Sequence, residues 1–197
     1  MGPLPSTSPR HAVQFYGNEQ SLFDTVAGFL GEGLVARQTA IVIATEAHRG
    51  GIQDALSGRL LDVERARRGG DLVVLDAREL MDTFIVCDEP NPELFDYNVG
   101  LVFEQALKVG ARGLIRAYGE MVDVLWKEGR TDAAIRVEML WNRLAAKYGF
   151  ALLCGYAMGN FFKQADQLET VCSQHSHVIE PGTPVMAAFD GKASQGG

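Results

Sequence analysis

The sequence predicts an α/β protein: a mainly parallel sheet with helices on both faces, in three layers. Two observations carry this. Short apolar runs alternate along the chain with longer segments of helical periodicity, which is the pattern of successive βαβ units. The runs are also nearly all apolar, as in Thr39 to Thr45 (TAIVIAT) and Leu72 to Leu75 (LVVL). Such runs suit strands buried on both faces rather than on one.

The elements follow in order. Residues 1–10 are rich in Pro and Ser and read as a flexible tail. Ala12 to Tyr16 reads as a strand ended by Gly17-Asn18, with Asn18 placed to cap the next helix. Leu22, Val26, Phe29, Leu30 and Leu34 recur at helical spacing, which predicts a helix over 19–36. The TAIVIAT strand spans 39–45, and Ile52 to Leu61 reads as a second helix after a turn. Residues 62–70 read as a charged loop, and 72–75 as a third strand.

A short helix is expected over 78–84, and Asp88-Glu89-Pro90-Asn91-Pro92 breaks the chain. A long helix follows over 93–109. Residues 113–118 read as a fourth strand and 122–128 as a short helix ending at Gly129. Thr131 opens a helix to Lys147, with Ile135, Trp141 and Leu144 on its buried side. Ala151 to Tyr156 reads as a fifth strand and 161–173 as a last helix. Residues 180–197 are rich in Gly, Pro and Ser and read as a second tail, which leaves one domain over 11–179.

Composition narrows the function. The chain has 197 residues, 47% of them hydrophobic, which is ample for one core. Its net charge of -7 disfavours capture of nucleic acid or of an anionic membrane. Arg65, Arg67 and Arg68 form the one basic cluster, and Asp62 and Glu64 sit beside it. Three cysteines, Cys87, Cys154 and Cys172, do not make a disulfide framework. No apolar stretch approaches the roughly 20 residues of a membrane helix, and residues 1–10 do not resemble a secretory leader. A cytoplasmic location is expected.

In a sheet of this class, ligands bind outside the carboxyl ends of the strands, where the strand order reverses. The candidate ligand-binding residues are therefore Tyr16, Glu46, Arg116, Tyr118, Glu120 and Tyr156, with His11 and Trp126 nearby in sequence. A phosphate loop would occupy the turn from Glu46 to Gly51. That turn has Gly50 and Gly51 but neither the Lys nor the Ser/Thr that phosphates and magnesium require. Arg116, Tyr118 and Glu120 share one strand face by alternation, and Glu120 is placed to pair with Arg116.

The stretch Cys172 to His177 contains metal-ligand types. Only Cys87, Cys154, His11 and His48 add further Cys or His, and none forms a second close pair. No metal site is expected there, and His175 and His177 read as favouring a helix C-terminus. No catalytic Ser/His/Asp or Cys/His arrangement stands out, so no catalytic residue and no cofactor are expected.

Four stretches together resemble one family. They are His11 to Tyr16, Arg116 to Glu120 with Leu125-Trp126 and Gly129, Leu153 to Tyr156, and Cys172 to Val178. They look like the MEDS domain, the methanogen/methylotroph sensory domain of the dichloromethane-responsive repressor. The resemblance covers about residues 10–180. It implies a degenerate relative of the RecA/circadian-clock ATPase fold that lost its phosphate loop.

The family resemblance also implies a non-enzymatic sensor of small organic molecules that acts on histidine kinase, anti-sigma-type or transcriptional partners. The 197 residues contain no output module, so the expectation is a stand-alone sensor acting in trans or the input part of a longer protein. Two alternatives remain. One is a protein-interaction module, a homodimer or a kinase-docking unit without a small ligand, using helices 93–109 and 131–147. The other is a degenerate nucleotide-binding protein.

Overall fold

The computed structural model describes residues 10–109, 115–161, 165–180 and 185–189. The expected tail over 1–9, the start of the strand at 113–118 and positions 162–164 of the last helix lie outside the described residues. The chain is α/β, with six parallel strands in the order β3-β2-β6-β7-β1-β8. These strands are β1 (His11–Tyr16), β2 (Ala40–Ala44), β3 (Leu72–Asp76), β6 (Arg116–Gly119), β7 (Ala151–Ala157) and β8 (His177–Ile179). A separate two-stranded hairpin joins β4 (Ile85–Val86) to β5 (Glu89–Pro90).

Helices cover both faces and complete three layers, an arrangement consistent with a RecA-like fold. On one face lie α1 (Glu19–Val35), α2 (Glu46–Gly58) and α3 (Val63–Gly69), packed through Leu22, Phe29, Ile52, Leu56 and Val63. On the other lie α4 (Ala77–Asp82), α5 (Pro92–Val109), α6 (Met121–Lys127), α7 (Thr131–Tyr148) and α8 (Ala165–Ser173). The centre of this second face is Trp141, which meets Phe95 and Phe103 edge-on. Strand residues alternate between the faces. Val13, Phe15, Cys154 and Tyr156 point to α5–α7, and Ala12, Tyr16, Tyr118 and Leu153 to α1 and α2.

The differences from expectation have local causes. Helix α2 starts at Glu46, directly after β2, and takes Gly50 and Gly51 into its body. The expected charged loop holds α3, because Asp62 caps it by accepting from the Arg65 N–H. Strand β8 escapes detection because only three residues pair with β1. The expected helix over 161–173 is instead a 3-10 turn, Met158–Phe161, followed by α8. Part of the expected C-terminal tail also packs: Val185 is buried and the Phe189 ring lies 4.5 Å from that of Phe29.

Two glycines in helices make opposite predictions. A Cβ on Gly33 would stand 2.8 Å from Arg116 Cδ. Arg116 cannot swing aside, because Nε donates to Gln38 Oε1 at 2.9 Å and Nη1 to the Phe29 carbonyl at 2.8 Å. Overpacking costs about 1–3 kcal/mol, which outweighs the helix-propensity gain of about 1 kcal/mol. Gly33→Ala is therefore expected to lower the denaturant midpoint. A Cβ on Gly50 meets nothing within 4 Å, so Gly50→Ala is expected to raise the midpoint, with a gain in unfolding free energy of about 0.5–1 kcal/mol.

Candidate functional site

The strand order reverses between β2 and β6. The chain leaves β2 through α2 on one face and leaves β6 through α6 on the other. Ligands of such sheets bind at this point, and Glu120 is the residue that follows β6 there. Glu120 is 2% exposed. Its Oε1 accepts the Thr45 N–H at 2.5 Å, and its Oε2 lies 2.5 Å from His48 Nδ1 and accepts the Tyr118 hydroxyl at 3.1 Å.

Thr45 is the N-cap of α2, and its own side chain makes no capping bond. The Glu120 carboxylate thus places negative charge at the N-terminus of α2, where the helix dipole favours it. The bond to Glu120 raises the pKa of His48 above its ordinary value against the opposing effect of burial; Glu120 and Glu19 add to the rise and Lys127 opposes it. Burial, then the Glu120 charge, pushes the Tyr118 phenol well up. Tyr118 pairs with Leu153 on β7, and its hydroxyl extends over Gly155, two residues further along that strand, where a Cβ would stand 2.9 Å from it.

Asp123, in the first turn of α6, is a second buried carboxylate. Its Oδ2 accepts the Tyr16 hydroxyl at 2.9 Å and pairs with Lys127 Nζ at 2.7 Å. Its Oδ1 accepts the Ala157 N–H at 3.0 Å and Asn160 Nδ2 at 2.7 Å. It thereby ties the ends of β1 and β7 and the 3-10 turn to α6. Burial, then Asp123, raises the Tyr16 phenol. The Tyr16 and His48 rings meet edge-on at 6.1 Å, so the two carboxylate centres adjoin.

A third polar group lies under the other face of β1 and β7. His11 Nε2 is 3.2 Å from Cys154 Sγ and 3.3 Å from Glu138 Oε2. His175 Nε2 is 3.4 Å from Glu138 Oε1, and Cys154 Sγ is 3.6 Å from Glu138 Oε2. The Tyr156 hydroxyl donates to Glu138 Oε1 at 2.8 Å. Burial, then His175, lowers the His11 pKa to about 4. Against burial, His175 and His11 hold the Glu138 carboxyl down to about 2. Burial opposes and Glu138 drives the upward shift of His175, while burial, then Glu138, pushes the Cys154 thiol well up.

Of the residues singled out from the sequence, Tyr16, Tyr118 and Glu120 gather at the carboxyl edge. His11 and Tyr156 meet instead at Glu138 on the opposite face. Trp126 is buried among aromatic rings: Phe161 at 5.0 Å, Tyr156 at 5.6 Å, and Phe15 beyond, 5.3 Å from Phe161. Glu46 is exposed in the first turn of α2. Arg116 needs correcting. It starts β6 and so sits at the amino end of the sheet, where it bonds Gln38 and the Phe29 carbonyl and meets Met186 Sδ at 2.9 Å. The expected pairing of Glu120 with Arg116 gives way to His48, Thr45 and Tyr118.

Sequence reasoning passed over Asp123, Glu138 and Asn160 and did not place His48 at the edge. For two of these a signal existed. Glu138 sits in the buried phase of its helix with Ala134 and Trp141, and Asp123 is flanked by Val122 and Val124. A carboxylate in a buried phase requires partners.

An open groove of about 540 Å³ lies elsewhere, beside Leu34, Arg37, Arg65 and Asp71. Arg37 and Asp71 precede β2 and β3, and none of the buried carboxylates lines this groove. No helix among the described residues is long and apolar enough to cross a membrane.

The family described as MEDS, the methanogen/methylotroph, DcmR sensory domain, matches residues 10–176. No curated protein matches the sequence as a relative.

Proposed function

The chain belongs to the MEDS family of sensory domains, and on that premise we propose a non-catalytic sensor that takes a small organic molecule at the carboxyl edge of its sheet. The sensory unit spans residues 11–179. It passes occupancy to a histidine kinase, an anti-sigma-type protein or a transcriptional output. In this reading the domain descends from RecA-type ATPases, and Glu120 has replaced the phosphate.

One observation carries the proposal. The Trp126 indole N–H is buried and has no acceptor among the described residues. Its ring meets Tyr156 and Phe161, Phe161 meets Phe15 in turn, and Asn160, the neighbour of Phe161 in sequence, bonds Asp123 of the same helix α6. A buried donor without a partner costs about 1–3 kcal/mol. A small molecule with an acceptor atom and an apolar body would relieve that cost and stack on the rings. Phe161 and Asn160 belong to the turn that leads to α8, so occupancy would reposition that helix. The ligand acts through different affinity for the two positions.

The test is a thermal-unfolding screen against short alcohols, amines and halogenated hydrocarbons, with nucleotides as a separate arm. A compound at 100 times its Kd adds about 2.7 kcal/mol, a rise in Tm of about 5–10 °C for a chain of this size. Trp126→Phe is expected to keep the fold and abolish the rise. If no compound stabilises the chain while a protein partner does, the small-molecule reading fails.

A second reading has its own observation. Leu94, Tyr97 and Leu101 lie exposed along α5, with Tyr97 70% exposed, which suits a protein-interaction face or a homodimer. Light scattering of the wild-type chain and of Tyr97→Asp decides it. A monomer in both, with no partner in a pull-down, counts against it.

A further inference from the structure

The geometry points to a closed four-ligand site for one divalent zinc-type cation, formed by His11 Nε2, Cys154 Sγ, Glu138 and His175 Nε2. This inference stands apart from the sensory reading and uses a different part of the molecule. The four ligand atoms all lie within 4.8 Å of one another. The closest contacts among them are 3.2, 3.3, 3.4 and 3.6 Å. Tetrahedral zinc, with bonds of about 2.0–2.1 Å to nitrogen and about 2.3 Å to sulfur, sets its ligands about 3.3–3.6 Å apart. The site already has the size of a coordination shell.

The surrounding bonds prepare each ligand. Asn142 Nδ2 donates to the Gln174 carbonyl at 2.9 Å, which turns Asn142 Oδ1 toward His11 Nδ1, 2.9 Å away. His11 therefore carries its proton on Nδ1 and presents the bare Nε2 to the cluster. His175 does the same, with Nδ1 2.8 Å from the Val171 carbonyl. Its Nε2 is buried and makes no hydrogen bond, although Glu138 is 3.4 Å away. An imidazole that donates its far N–H to a carbonyl or amide oxygen is the usual support of a metal ligand. The Tyr156 hydroxyl orients Glu138 in the same way.

Without a cation, the two ring lone pairs and the carboxylate face inward, and among the described residues the Cys154 thiol and the Tyr156 hydroxyl are the donors that reach them. A cation at the centre satisfies every one of them. Sulfur among the donors disfavours magnesium and calcium, and a mixed nitrogen, sulfur and oxygen set in tetrahedral form suits zinc. Four protein ligands leave no open position, so the metal is structural. It joins β1, α7, β7 and the segment after α8, and so fixes the end of α8 to the sheet.

The chelator-stripped full chain, titrated with zinc against a chromophoric chelator, is expected to bind one zinc per chain. Cobalt in its place should give the strong visible bands of tetrahedral coordination and a thiolate charge-transfer band. Cys154→Ser should remove the charge-transfer band and weaken zinc binding by about 100-fold or more, and His175→Gln should weaken it comparably. Asn142→Leu, which touches no metal, should weaken binding by about 10–100-fold. Cys172→Ser and His177→Gln should change nothing. Circular dichroism of each stripped variant checks its fold. The inference is overturned if the wild-type chain takes up no stoichiometric zinc or if cobalt gives only a weak octahedral spectrum. It is equally overturned if binding is lost with Cys172 or His177 rather than with Cys154 or His175.

Discussion

Glu120→Ala is expected to lower the unfolding free energy by about 3–5 kcal/mol, the cost of breaking a buried charged pair from one side. The substitution strands the Thr45 N–H, the His48 ring and the Tyr118 hydroxyl together. Total stability for a domain is about 5–15 kcal/mol, so much of it is at stake. Glu120→Gln keeps the shape and an acceptor for Thr45, and is expected to lose less than half as much.

The pair also leaves a signature in pH. The folded pKa of His48 is raised, with Glu120 and Glu19 raising it and burial and Lys127 opposing. A raised base stabilises fully below its unfolded value, about 6.5, and loses that contribution as pH climbs through the folded value. Wild-type stability should therefore fall from pH 6.5 upward by an increment that Glu120→Gln lacks. Urea midpoints for both proteins across pH 6 to 9 check this. Equal pH slopes for the two would mean that Glu120 does not hold the proton on His48.

Asp123→Ala is expected to cost a similar amount, about 3–5 kcal/mol, for a different reason. It strands the Ala157 N–H, the Tyr16 hydroxyl and Asn160. Because Asp123 fastens the turn before α8, the loss is expected to be uneven. Hydrogen exchange should accelerate first over 157–161, ahead of global unfolding. Uniform acceleration across the sheet would contradict that. The two centres meet through Tyr16 and His48, so the double variant should fall short of additivity.

The sheet was legible because its strands announce themselves. TAIVIAT is apolar between its two threonines and LVVL is apolar throughout, and they pair as parallel neighbours at one side of the sheet. Strand β8 was not, because Val178 is half exposed and only Ile179 is fully buried. Helix α3 was hidden by its charge: Val63 is its one fully buried residue, and a polar surface helix looks like a loop. The expectation of a tail after residue 180 failed over Val185–Ala188 because contacts with α1 and Arg116 hold that turn.

The candidate site was legible in its residue types and not in its pairings. Alternation correctly put Arg116 and Tyr118 on one face, and strand length then separated Arg116 from Glu120 by the height of the sheet. His48 reached Glu120 because α2 begins six residues earlier than its apolar pattern suggests. His11, Glu138, Cys154 and His175 come from β1, α7, β7 and the segment after α8, and the parallel pairing of β1 with β7 brings them together. Spacing along the chain carries no trace of such a meeting.

The central claim is that a small organic molecule docks beside Trp126. The chain has two tryptophans, and the indole N–H groups of both are buried without an acceptor among the described residues. The two indole resonances of nitrogen-labelled protein therefore report on two places at once. Titration with a compound that raises Tm should move the Trp126 resonance and leave Trp141, in the core against Gly119, unmoved. A stabilising compound that leaves Trp126 in place, or shifts both resonances alike, would contradict the claim.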